Sequence, residues 1–434
     1  MTPITRSRRR HLSFAASTLL TLAVVTAGCG SKSKGTDTTA VASATTAASE
    51  TTLAGPDTTV AIDTTLATAT TAATDTTAAT ETTLAVGSST VAGTDSTAVA
   101  VAAVPFDQAR CDANKAVGKI TYLSSFDFAA AASIVDVVVA KEKGYFDKLC
   151  LDVDLKPSFS TSNYPLVAAG KAQFSSAGNY TEILNFSKDG AAFVALADYG
   201  HTPIEELLVK ADSGITTLAG LKGKTIGVKG DIPPSLVAML SKAGLKRGTD
   251  YKEVLLDGFD PVVQLKQVDA LPVYKSNEPG QLDKAGIKYT AFNPTDDKIP
   301  GSFGLLYTSK QFATDHPTVA QDFIRAALKG MEDAAADPSG AVTLSLKQIT
   351  AAGNQNFLSQ EGETFRWKAE LAEVVKGTPS GPLGLIDPAA FQAEIDAYAA
   401  AGIFKGAPPA TAGTFDDTVA KGLYGADGKV IWPS

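Results

Sequence analysis

Over residues 35–105 this sequence has no lysine, no arginine and no aromatic residue, and threonine and alanine dominate. Such a stretch cannot bury enough apolar surface to offset the entropy of its backbone, which excludes a packed domain there. The whole 434-residue chain holds only three cysteines and three histidines. No HExxH, GxSxG, Walker-type or GxGxxG pattern occurs, and no CxxC pair. These absences remove the usual metal, triad and nucleotide-loop chemistries, so no catalytic residue, metal or cofactor is expected. His11 falls in the basic leader and His316 precedes Pro317 at a helix start, neither a catalytic setting. After the first 28 residues no run of 18 consecutive apolar residues remains, so nothing later is expected to span a membrane. Positive charge is also scarce. Without the leader, which holds Arg6, Arg8, Arg9, Arg10 and no acid, 34 bases face 46 acids. So acidic a remainder argues against nucleic acid as a partner.

What is present begins with an address. Residues 6–10 (RSRRR) and the apolar stretch 12–27 have the build of an export signal. The stretch ends in Thr26-Ala27-Gly28-Cys29, which resembles a bacterial lipobox with Thr26 in place of the usual leucine. Lipidation of Cys29 is expected, placing the protein on the outer face of the cell membrane. An ordinary secretory signal with Cys29 incidental, or an uncleaved anchor, is the alternative. From Thr36 to Val104 an acid-Thr-Thr unit recurs irregularly, at Asp37, Glu50, Asp57, Asp63, Asp75 and Glu81. This reads as a disordered tether, either a bare spacer or an O-glycosylated stalk, and about 70 flexible residues span roughly 45 Å.

The folded part is expected from Cys111 onward. Lys119–Ser124, Leu151–Lys156, Gln173–Ser176, Phe193–Leu196, Glu206–Lys210 and Thr225–Val228 read as strands. Ala129–Lys143 reads as a helix closed by Gly144, and beyond residue 310 the pattern is mainly helical. Strands alternating with helices of this length indicate an α/β chain with parallel-rich sheets. With Cys29 lipidated, Cys111 and Cys150 are left to form a disulfide in an exported protein; two unpaired thiols are the alternative.

Four segments carry a resemblance. Ala140–Pro157 (AKEKGYFDKLCLDVDLKP), Leu166–Gly178 (LVAAGKAQFSSAG), Leu218–Val228 (LAGLKGKTIGV) and Val268–Pro279 (VDALPVYKSNEP) follow one another in order. Together they resemble the nitrate/sulfonate/thiamine-precursor family of ABC-transporter solute-binding proteins, the last segment its thiamine pyrimidine synthase-like branch. The first loop, Ser124-Ser125-Phe126-Asp127-Phe128, lacks the Trp and His often found in that branch. The resemblance implies a two-lobed periplasmic-binding-protein fold of type II, two parallel-rich sheets joined by a two-strand hinge. Residues 1–28 would be the signal, 29–110 the tether, 111–204 with 305–434 lobe 1, and 205–304 lobe 2. It also implies an ABC permease and ATPase as partners and a small ligand between the lobes, with no enzymatic activity.

The ligand-binding candidates of lobe 1 are Phe126, Asp127, Asn179, Tyr180 and Glu182. Those of lobe 2 are Asp231 and Ser235 at a Pro-capped helix, with Tyr274, Asn277 and Glu278. Aromatic rings and carboxylates in strand-end loops suit a nitrogenous aromatic ligand of thiamine-pyrimidine type. No arginine occurs in these loops, which counts against a guanidinium clamp for sulfonate or nitrate. An anion-binding protein and a ligand-sensing lipoprotein are the alternative functions.

Overall fold

The computed structural model describes residues 106–187, 192–353, 358–378 and 381–433. The leader, Cys29 and the Thr-rich tether lie outside the described residues. Among the described residues no helix is long and apolar enough to cross a membrane.

Among the described residues ten strands form two five-stranded mixed sheets. The first contains β1 (Lys119–Leu123), β2 (Asp152–Lys156), β3 (Phe174–Ala177), β4 (Phe193–Gly200) and β10 (Phe303–Ser309), ordered β2-β1-β3-β10-β4. The second contains β5 (Glu205–Lys210), β6 (Thr225–Val228), β7 (Lys252–Leu255), β8 (Ala270–Tyr274) and β9 (Tyr289–Phe292), ordered β7-β6-β8-β5-β9. β1 pairs in parallel with β2 and β3, and β6 in parallel with β7 and β8. In each sheet one strand runs against both of its neighbours, β10 in the first and β5 in the second. These are the strands reached by the two crossings between the sheets, through 201–204 and 293–302. A chain that crosses directly enters the new sheet reversed, without the helix that a parallel connection demands.

The helices are α1 (Gln108–Ala116), α2 (Val135–Glu142), α3 (Tyr145–Lys148), α4 (Ser160–Ala168), α5 (Tyr180–Ser187), α6 (Pro234–Lys242) and α7 (Pro261–Gln264). They continue with α8 (Glu278–Lys284), α9 (Lys310–Asp315), α10 (Pro317–Ala336), α11 (Pro338–Ala352), α12 (Gln360–Gly377), α13 (Pro388–Ala400) and α14 (Asp417–Lys421). β4 is buried along its whole length although it ends the sheet. Residues 414–416 cover its edge, with Ala195 N–H donating to Thr414 O and Asp416 N–H to Ala195 O, each at 2.9 Å. Without that cover the strand would present an unpaired, apolar edge. α10 lies so close to α2 that a Cβ on Gly330 would stand 2.0 Å from the carbonyl oxygen of Asp136.

Two sequence expectations need correction. Helix α2 begins at Val135 rather than at Ala129. Ser133 adopts a φ of 66°, which a right-handed helix cannot contain. Residues 305–434 do not all pack on the first sheet. α13 places Phe391 and Ile395 against Tyr180 in the first lobe, but Tyr398 against Leu236 and Met239 in the second. One helix face therefore serves both cores.

Cys111 in α1 and Cys150 before β2 form a disulfide with a sequence separation of 39. Closing a loop of that length restricts the unfolded chain by about 4 kcal/mol in the chain-entropy description. Reduction should lower the urea midpoint by a comparable free energy. Equal midpoints for the oxidised and reduced protein would show that α1 is held by its other contacts alone.

Candidate functional site

In both sheets the parallel strands end toward loops that α12 brings into contact. Ser276 Oγ, after β8, donates to Glu370 Oε1 of α12 at 3.0 Å, and Glu370 Oε2 accepts from Ala132 N–H of the first lobe at 2.6 Å. Arg366 of α12 donates to Asn277 Oδ1 at 3.0 Å and sets its guanidinium 5.4 Å over the Phe126 ring. The loops after β1 and β8 thus meet across α12, and the space beside them is the candidate crevice. Open α/β sheets place their ligands at such carboxyl ends.

Phe126 meets Phe159 edge to face, with ring centroids 5.8 Å apart. Asp127 sits at φ 48°, a conformation that Asp tolerates better than most residues, and its Oδ1 accepts from the N–H of Phe128 at 2.8 Å. Asn179 caps α5, its Oδ1 accepting the Glu182 N–H at 2.9 Å. Glu182 in turn accepts the Gly178 N–H at 3.2 Å, and burial raises its carboxyl above the usual range. Across the crevice Glu278 is buried; one oxygen pairs with Lys229 at 3.1 Å and the other accepts the Tyr274 N–H at 2.9 Å. Tyr274 keeps 47% of its surface accessible although protein surrounds it, the signature of a side chain in a recess. Its phenol is raised by that enclosure and by the negative charges of Glu205, Glu182, Glu278 and Glu370.

Three candidates do not reach this recess. Tyr180 is fully buried, stacked at 3.8 Å on Phe391, with its hydroxyl against Thr414. Asp231 turns to Arg247 on the surface of lobe 2. Ser235 is buried and donates to Glu205 Oε2 at 3.0 Å, so it supports a wall instead of lining the opening.

The sequence reading missed other members. Phe159 after β2 and Phe259 after β7 are 56% and 58% exposed, and Lys229 Nζ lies 5.6 Å above the Phe259 ring. Their position just past strand ends was the available signal. Glu205, Glu370 and Arg366 gave no local signal. An arginine does reach the site, from α12, which corrects the expectation built on the loops alone. Its Nε is engaged by Glu363 at 3.2 Å.

Residues 131–341 match the family described as NMT1/THI5 like. This chain is similar to that family over those residues. It is 26% identical over 289 residues to the riboflavin-binding protein RibY of Chloroflexus aurantiacus, spanning 63% of this chain and 79% of that protein. It is also 26% identical over 241 residues to a putative aliphatic sulfonates-binding protein of Bacillus subtilis, spanning 52% and 70% of the two chains. Among solved structures, the putative periplasmic sulfonate-binding protein SsuA of Methylobacillus flagellatus superposes with a TM-score of 0.51 at 17% identity, covering 70% of this chain and 93% of that one. The chain has the periplasmic binding protein fold.

Proposed function

We propose that this chain is the extracytoplasmic solute-binding component of an ABC importer, taking a planar nitrogenous heterocycle into the crevice between its lobes. The observation that carries the ligand class is the company of exposed rings and enclosed carboxylates around Tyr274. Phe159, Phe259 and Tyr274 are the aromatic side chains most open to solvent there, and the charges of Glu182, Glu205, Glu278 and Glu370 act on Tyr274. Rings offer stacking worth about 0.5–1.5 kcal/mol per pair beyond burial. Carboxylates accept hydrogen bonds from ring amines, each worth about 1.5–3 kcal/mol. The riboflavin-binding name of one relative favours the same class.

The lobes close on the ligand because only the closed form makes both sets of contacts. Cys29 anchors the protein by lipid to the outer face of the membrane, and the tether lets the lobes reach the permease. A sulfonate ligand is the second reading, favoured by the name of the Bacillus subtilis relative and by Arg366 at the crevice. Titration calorimetry on the detergent-solubilised protein decides between them. Riboflavin or the thiamine pyrimidine should bind, with at least a tenfold loss in Tyr274→Ala and in Glu278→Ala. Binding of taurine with no response to either heterocycle would overturn the ligand class and leave the solute-binding function standing.

A further inference from the structure

An oxyanion entering an α/β crevice needs backbone N–H groups, above all those at helix starts after strands, or unpaired cations. In this protein several of those donors are already engaged. In the segment before α2, Ala130 N–H donates to Glu363 Oε2 at 2.7 Å and Ala132 N–H to Glu370 Oε2 at 2.6 Å. At the start of α5, Tyr180 N–H donates to Ser302 Oγ at 2.9 Å, Thr181 N–H to Glu394 Oε1 at 3.0 Å and Glu182 N–H to Asn179 Oδ1 at 2.9 Å. In lobe 2, α6 and α7 open with Pro234 and Pro261, and Pro279 is the second residue of α8; these prolines carry no N–H to offer. Asp260 takes the next two N–H groups of α7. The cations are paired as well: Lys229 with Glu278 at 3.1 Å, Lys275 with Glu373 at 2.9 Å and Arg366 with Glu363 at 3.2 Å.

We propose that Glu363, Glu370 and Glu394, carried in by the distant helices α12 and α13, are specificity-determining residues that close the crevice to oxyanions. This rests on the reading of the crevice as the ligand site. The three are buried. Each occupies a backbone N–H that a sulfonate or nitrate could otherwise use. An incoming anion must either displace a buried negative charge or sit beside it, and a neutral or cationic heterocycle faces neither cost.

The test is a titration of the detergent-solubilised full chain at pH 8 with ethanesulfonate, nitrate and riboflavin. That pH lies above the value of about 7 to which burial raises Glu370 and Glu394. The parent should show no ethanesulfonate or nitrate binding up to millimolar concentration. Glu370→Ala and Glu394→Ala, which free an N–H and leave room beside it, should bind at least one of the two anions at least tenfold more tightly than the parent. Glu370→Gln and Glu394→Gln keep the size and the acceptor, remove the charge, and should gain in the same direction if the alanine variants do not fold. Micromolar anion binding by the parent would overturn the proposal, and so would a complete set of folded variants without gain. The riboflavin arm is read separately. Its failure in the parent would count against the heterocycle reading, while the anion gain still decides the role of the glutamates.

Discussion

Acidification from pH 8 to pH 5.5 should raise the thermal midpoint of this protein by several degrees, against the usual loss of stability in acid. Asp136, Glu370 and Glu394 are fully enclosed, and burial pushes each carboxyl up to about 7. Unfolded, the same groups titrate near 4. At pH 8 all are ionised in both states, and the folded state carries the cost of three buried charges. As pH falls through 7 the folded protein takes up protons that the unfolded chain does not, so that cost is relieved. Each unit is worth about 1.4 kcal/mol, giving on the order of 2 kcal/mol per group at pH 5.5. Below pH 4 the direction reverses, because Asp269, Asp333 and Glu373 are held below their usual values by hydrogen bonds and neighbouring lysines. Calorimetric scans across pH 4–8 check this. A midpoint that is flat or falling between pH 8 and 5.5 would show that these carboxyls are ionised in the fold without penalty.

Asp322→Ala should cost about 3–5 kcal/mol, the range for removing one partner of a buried ion pair. Asp322 is fully buried on α10 and accepts four hydrogen bonds. Arg110 donates from Nε and a terminal nitrogen at 2.7 Å each, Asn114 at 2.8 Å and Arg325 at 3.1 Å. Alanine would leave two guanidinium groups without their shared anion, one of them buried. Arg325 also donates to the carbonyl of Ile431 at 2.6 Å, so the loss should extend to the C-terminal segment. Urea denaturation measures it, with Asp322→Asn expected between parent and alanine because it keeps the volume and part of the hydrogen bonding. A loss below about 1 kcal/mol would show that both arginines find other partners.

Much of this architecture is legible in the amino-acid sequence. The alternation in Lys119–Leu123 and Asp152–Lys156, and the Pro-led helices after residue 310, carry their periods in the local sequence. Loops after parallel strands face a crevice whatever their composition, which is why Phe126, Tyr274 and Glu278 could be nominated. Local sequence states which residues are apolar, which are charged and how they repeat. It does not say which distant element will meet them.

Tyr180 illustrates the limit, because an aromatic after a strand reads alike whether it faces ligand or core. Phe391 decides, and it arrives from α13. Glu363 and Glu370 read as ordinary charges of an exposed helix, yet they accept N–H groups 233 and 238 residues away. The sequence by itself determined the alternation of strands and helices and the loops that follow the strands. Only the tertiary structure decided which donors and rings stay open there. That depends on long-range pairing of charge and stacking, for which the local periodicity of the chain holds no signal.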